Sequence, residues 1–124
     1  MTTLITAPEG TKPKFYCILF LSGLKPPGYL VGYVTGDTSV KLAWEVTSPS
    51  NKTVFEIRWK NGRNESSMVV SGTTGTVTIQ DLRVDTKYFF RVRKGFMNGT
   101  WSGFTKYRSV WTPEGGKHTL NHAL

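Results

Sequence analysis

The sequence predicts an all-β fold, seven antiparallel strands packed as a two-sheet sandwich. From Tyr29 onward, apolar residues recur at every second position in one short run after another, which is the period of a strand with one buried face. Glycine, proline and asparagine interrupt those runs at short intervals, and no stretch carries helical spacing. Strands with no helix to cover them bury their apolar faces against each other, as two sheets.

The elements follow in order. Tyr29–Thr35 is the first strand, ended by Gly36-Asp37. Ser39–Val46 is the second, with Val40, Leu42 and Trp44 on one face and Lys41 and Glu45 on the other. A loop over 47–53 leads into Val54–Lys60, where Phe55, Ile57 and Trp59 alternate with Glu56, Arg58 and Lys60. Asn61-Gly62 is a hairpin signal, because both residue types tolerate positive φ. Ser67–Gly72 reads as a short edge strand, and Thr74–Leu82 turns Val77, Ile79 and Leu82 inward. In Tyr88–Phe96, Tyr88, Phe90 and Val92 face the core, which leaves Phe89, Arg91 and Arg93 outside. The last strand lies within Phe104–Thr112, and Pro113 ends it because proline cannot donate to a ladder.

The chain therefore divides into an N-terminal tail (1–25), one folded domain (26–113) and a flexible C-terminal tail (114–124). Within the first tail, Phe15–Leu21 follows Lys12 and Lys14. It fits the core of a short signal peptide cut near Ser22-Gly23, and equally a strand left from a preceding domain. No apolar run reaches membrane-spanning length, so any membrane attachment comes through a parent protein.

Sixteen Lys and Arg against eight Asp and Glu give a net charge of +8, which favours an acidic partner such as a sulfated glycan, anionic lipid, nucleic acid or acidic protein. With one cysteine, Cys17, no intrachain disulfide can form, which excludes an immunoglobulin domain with its usual bridge. His118 and His122 share a polar tail without a Cys/His cluster, so no metal site is expected. The absence of a nucleophile motif, a phosphate-cradling loop or a histidine inside the domain speaks against an enzyme and against any cofactor. The acidic residues are scattered beside exposed strand or turn positions.

Three N-x-S/T triplets, at Asn51, Asn64 and Asn98, fall in segments that read as loops. They fit acceptors for N-linked glycans in an extracellular or cell-surface protein.

"SVKLAW", "FEIRW" and "LRVDTKYFFRVR", in that order, resemble a fibronectin type III domain, an immunoglobulin-like sandwich, over Pro26 to Pro113. The resemblance implies that Trp44 is the core tryptophan. It also makes Leu82 and Tyr88 a tyrosine corner, in which the phenol bonds back to upstream backbone. A narrower stretch, "YFFRVRKGFMNGTWSGF" with "LKPPGYL" as the opening, is similar to the membrane-proximal fibronectin-like domain of class I cytokine receptors. Those domains carry an R-V-R-like strand before a W-S-x-W-S motif. Here Trp101 and Ser102 match, Phe104 replaces the second Trp, and Thr105 replaces the second Ser.

That resemblance implies a receptor module that binds a protein ligand through loops 47–53 and 95–100, with Ser50, Lys52, Phe96 and Met97 as candidate contacts. It also implies a stacked ladder in which Trp101 sits between Arg91 and Arg93, beside Arg58. Two other readings of those cations stand: a basic stripe gripping sulfated glycan, and an ordinary solvated sheet face. Phe96 and Met97 could contact a ligand or fold under their loop. For the whole protein, the alternatives are a spacer repeat in a tandem adhesion protein and a charge-driven glycan binder. The latter lacks a visible aromatic platform, and no nucleic acid is expected as a partner.

Overall fold

The computed structural model describes residues 24–115. The signal-like or remnant segment and the histidine-bearing tail lie outside the described residues. Seven strands form: β1 (Leu30–Gly36), β2 (Ser39–Trp44), β3 (Thr53–Asn61), β4 (Asn64–Ser71), β5 (Thr76–Ile79), β6 (Lys87–Phe96) and β7 (Arg108–Trp111). They make two antiparallel sheets, one ordered β1-β2-β5 and the other β4-β3-β6-β7. This is the all-β sandwich that the alternation predicts.

The period-two pattern decides what lies between the sheets. Val40, Leu42 and Trp44 of β2, with Leu30 and Ile79, face Phe55 and Ile57 of β3 and Tyr88, Phe90 and Val92 of β6. Trp44 packs against Phe55 with ring centroids 5.5 Å apart and planes tilted by 56°. Burying a side chain of this size contributes roughly 1.5–3 kcal/mol each, so this cluster supplies most of the force that joins the sheets.

Two details differ from the sequence reading, and the length of the last strand refines it. The β3–β4 hairpin turns at Gly62-Arg63, with Asn61 paired to Asn64. Gly62, at φ 61°, takes the first central position of the turn, where a side chain would be strained. As a result β4 starts at Asn64, and this candidate glycosylation residue belongs to a strand instead of a loop. The last strand is only four residues long, because 102–107 leaves regular pairing. Finally, Glu56 is buried, although its place on the outer face of β3 predicts exposure.

At the base of the sandwich, Leu82 and Tyr88 are both buried. The Arg83 N–H donates to the Tyr88 hydroxyl at 2.9 Å. Thr112, 1% exposed, accepts from the Thr86 N–H and donates to the Arg83 carbonyl. The β5–β6 crossover is thus tied both to β6 and to the end of β7.

Candidate functional site

The outer face of the β4-β3-β6-β7 sheet gathers most of the chemistry in the domain. Register places Glu56 beside Arg93, Arg58 beside Arg91, and Lys60 beside Phe89. All six stand on the same side because side chains alternate across a strand and these pairs are two residues apart.

Beyond β6 the chain turns at Met97–Gly99, where the Asn98 side-chain oxygen accepts from the Thr100 N–H, and runs back along β6. A normal strand would meet the β6 amides with carbonyls. Here two hydroxyls accept instead: Ser102 Oγ from the Lys94 N–H at 3.0 Å, and Thr105 Oγ1 from the Val92 N–H at 3.1 Å. In return the Ser102 and Thr105 N–H groups donate to the carbonyls of Lys94 and Val92. Pairing through hydroxyls three residues apart replaces the strand period of two with a period of three. Trp101, Phe104 and Tyr107 therefore all reach the outer face.

Their rings interleave with the cations. The Arg93 guanidinium lies 4.2 Å from the Trp101 ring centroid and 4.7 Å from that of Phe104. Arg91 lies 4.0 Å from Phe104 and 4.9 Å from Tyr107. Arg58 joins at 5.2 Å from Phe104, and the Lys60 ammonium at 4.8 Å from Tyr107. Further along, Lys87 lies 5.4 Å from Phe89 and 5.8 Å from Trp111. Contacts of this kind contribute about 0.5–2 kcal/mol each, more where water is excluded.

The ring between Arg91 and Arg93 is Phe104, whereas the sequence reading puts Trp101 there. Trp101 instead caps the end of the stack. Its indole lies so close over Gly95 that a Cβ added there would clash with the ring. The short turn carries Trp101 back only as far as Gly95, with which it forms an isolated bridge, so it reaches Arg93 and stops.

Glu56 is the electrostatic anchor that sequence reasoning missed. Its carboxylate accepts from Arg93 Nε at 2.7 Å and from Arg58 Nε at 3.1 Å. Burial pushes the carboxyl pKa up, but the hydrogen bonds and charges of Arg93 and Arg58 outweigh that and hold it below the ordinary value. The alternation already placed Glu56 on the outer face of β3. What it could not reveal was that two guanidiniums would close on it. A signal for Tyr107 was present, since Trp101, Phe104 and Tyr107 repeat at every third position.

The other candidate residues lie apart from this face. Ser50 and Lys52 sit at the β2–β3 loop, where Ser50 Oγ accepts from the Lys52 N–H. The Met97 N–H donates to the Lys52 carbonyl, which ties the two tip loops together. Phe96 is 37% and Met97 70% exposed, so neither folds under its loop. Asn51 and Asn98 are exposed at this same tip, and Asn64 is exposed at the opposite end of the sheet. Two exposed rings that the sequence reading does not single out, Tyr107 and Trp111, stand near Lys60 and Lys87. Among the described residues no group of acidic, histidine or cysteine side chains could hold a metal ion, and no helix is long and apolar enough to cross a membrane.

In fold the chain is similar to the FN1–FN3 domains of chicken CNTN1 (TM-score 0.65, 14% identity), covering 73% of this chain and 32% of that one. It is similar to the FN5 domain of Drosophila Lar (TM-score 0.61, 20% identity; 74% of this chain and 99% of that one). It is also similar to an FN3 domain of human collagen XX (TM-score 0.58, 21% identity; 73% and 93%). No curated protein sequence matches the chain. The family model described as "Fibronectin type III domain" matches residues 25–113, and in keeping with its two-sheet order this chain belongs to the fibronectin type III family.

Proposed function

We propose that this chain is an extracellular, protein-binding fibronectin type III module of a cell-surface receptor, similar to the membrane-proximal domain of class I cytokine receptors. The observation that carries the reading is the pair of hydroxyls on β6. Ser102 and Thr105 stand where the W-S-x-W-S pattern has its two serines, and both accept from β6 amides. Phe104, in place of the second tryptophan, keeps the aromatic role between Arg91 and Arg93. On this reading Arg58, Arg91, Arg93 and Trp101 are structural. They stiffen the β6 hairpin so that its tip is presented in one conformation, and a preorganised loop loses less entropy on binding.

The ligand then meets the tip, where Met97 and Phe96 are exposed beside Lys52. If Asn51 and Asn98 carry glycans, these flank the contact and confine the ligand's approach to the space between them. A photo-crosslinking residue in place of Met97, in the full-length protein on its native cells, tests this. The expected result is a discrete protein adduct at position 97, with none at Thr78 on the opposite sheet. Equal labelling at both positions, or none at either, overturns the reading.

A second reading, a spacer in a tandem array, is favoured by one observation. "TAPEG" near the start echoes "TPEGG" after β7, as though one repeat's exit preceded the next domain. That reading predicts no adduct at the tip.

A further inference from the structure

The cation–aromatic face has two ends of different chemistry. At the Trp101 end the charges are closed among themselves: Glu56 takes both Arg93 and Arg58, and Trp101 and Phe104 are only partly exposed. At the other end the arrangement is open. Lys60, Lys87 and Arg91 form no ion pair among the described residues. Two rings there face solvent, Trp111 at 59% and Tyr107 at 42% exposure, and Phe89 meets Tyr107 edge-on at 6.1 Å. Asp85 approaches only the edge of the Trp111 indole, accepting from its Nε1 at 3.3 Å.

We propose that this open end binds a sulfated glycan chain. Sulfate oxygens would pair with the ammonium groups of Lys60 and Lys87, and the apolar C–H face of a sugar ring would lie on Trp111 or Tyr107. The cations at this end, Lys60, Lys87 and Arg91, outnumber the acids beside them, Glu65 across from Lys60 on β4 and Asp85 at the Trp111 edge, and the surplus sets up a positive field that concentrates a linear polyanion. An acidic peptide would satisfy the charges but would have no flat apolar face to match the two rings. A bilayer would be met best by a protruding loop, and these groups lie on strands and their flanks. Of the three sequons, Asn51 and Asn98 are at the far tip; Asn64 is at the same end as Lys60, but its register, with Ser66 and Met68, puts it on the other face of β4.

The proposal is independent of the receptor reading, because it uses the end of the face away from the tip. Binding of the full 124-residue chain to heparin by calorimetry and salt elution is the test. Lys60→Gln/Lys87→Gln should weaken binding about tenfold at physiological salt, whereas Lys25→Gln/Lys41→Gln, with the same net charge, should stay within about twofold of wild type. Ser109→Glu puts a repulsive charge into the patch without removing a contact, so it should also weaken binding while leaving the melting temperature unchanged. Equal losses for the two lysine pairs, or undiminished binding by Ser109→Glu, overturn the assignment. So does patch-dependent retention of polyglutamate or phosphatidylserine vesicles as tight as that of heparin, since the occupant would then be a different acid. Loss of the Met97 adduct with heparin binding intact would instead remove the receptor reading alone.

Discussion

Gly95 and Trp101 offer the sharpest test of how the returning segment is built. Replacing Gly95 with Ala in a strand interior normally stabilises by about 0.5–1 kcal/mol, because glycine loses the most entropy on folding. Here the new methyl would clash with Cε3 of the indole and meet two further ring carbons at 2.7 and 2.8 Å. Either the ring lifts off Arg93 or the backbone shifts, and overpacking of this kind costs about 1–3 kcal/mol. Trp101→Ala alone removes one guanidinium contact and a largely covered indole, a loss of about 2–3 kcal/mol. In the Trp101→Ala background the obstacle is gone, so Gly95→Ala should become neutral or stabilising. The double-mutant cycle, read by urea unfolding, should then give a coupling of about 2 kcal/mol. Additive effects within about 0.5 kcal/mol would refute the stacking of the indole on Gly95.

Tyr88→Phe should destabilise by about 1 kcal/mol or more in urea, because the Arg83 N–H loses its acceptor beside a buried ring; a neutral result argues against a working tyrosine corner. Glu56 has its folded pKa below the unfolded one, so its contribution is present above the unfolded carboxylate value of about 4.3 and fades as pH falls through the folded value. Glu56→Gln should therefore flatten the loss of stability between neutral and strongly acidic pH, as measured by thermal melts across that range. Expressed through a secretory pathway behind a functional leader, the chain should gain mass at one or more of Asn51, Asn64 and Asn98, read by intact-mass spectrometry before and after glycosidase.

Much of this fold was written in period two. Val40/Leu42/Trp44, Phe55/Ile57 and Tyr88/Phe90/Val92 each declare a buried face, and the resemblance to the family implies the hydrogen bond made by the Tyr88 hydroxyl. The site was legible only in its parts. Arg91 and Arg93 were assigned to the outer face by alternation, but the partner of each ring depended on the path of 97–107, a segment that follows neither strand nor helix period. Pairing there is decided by two hydroxyls, and a Ser or Thr in sequence does not announce whether it will accept from a neighbouring strand. Glu56 escaped notice for a related reason. Its burial comes from two arginines folding over it, one of them thirty-seven residues away, and no local pattern reports that.

The hydroxyl pairing along β6 also bears on how the domain behaves among its own kind. A sheet edge that ends in regular backbone offers the next chain a row of donors and acceptors, the usual route to strand invasion in crowded repeats. Along the upper half of β6 that route is closed. The covering segment takes its register from Ser102 and Thr105, and the strand period is broken where an incoming chain would need it. Linked to copies of itself, such a domain could stand close to its neighbours along that side without exchanging strands.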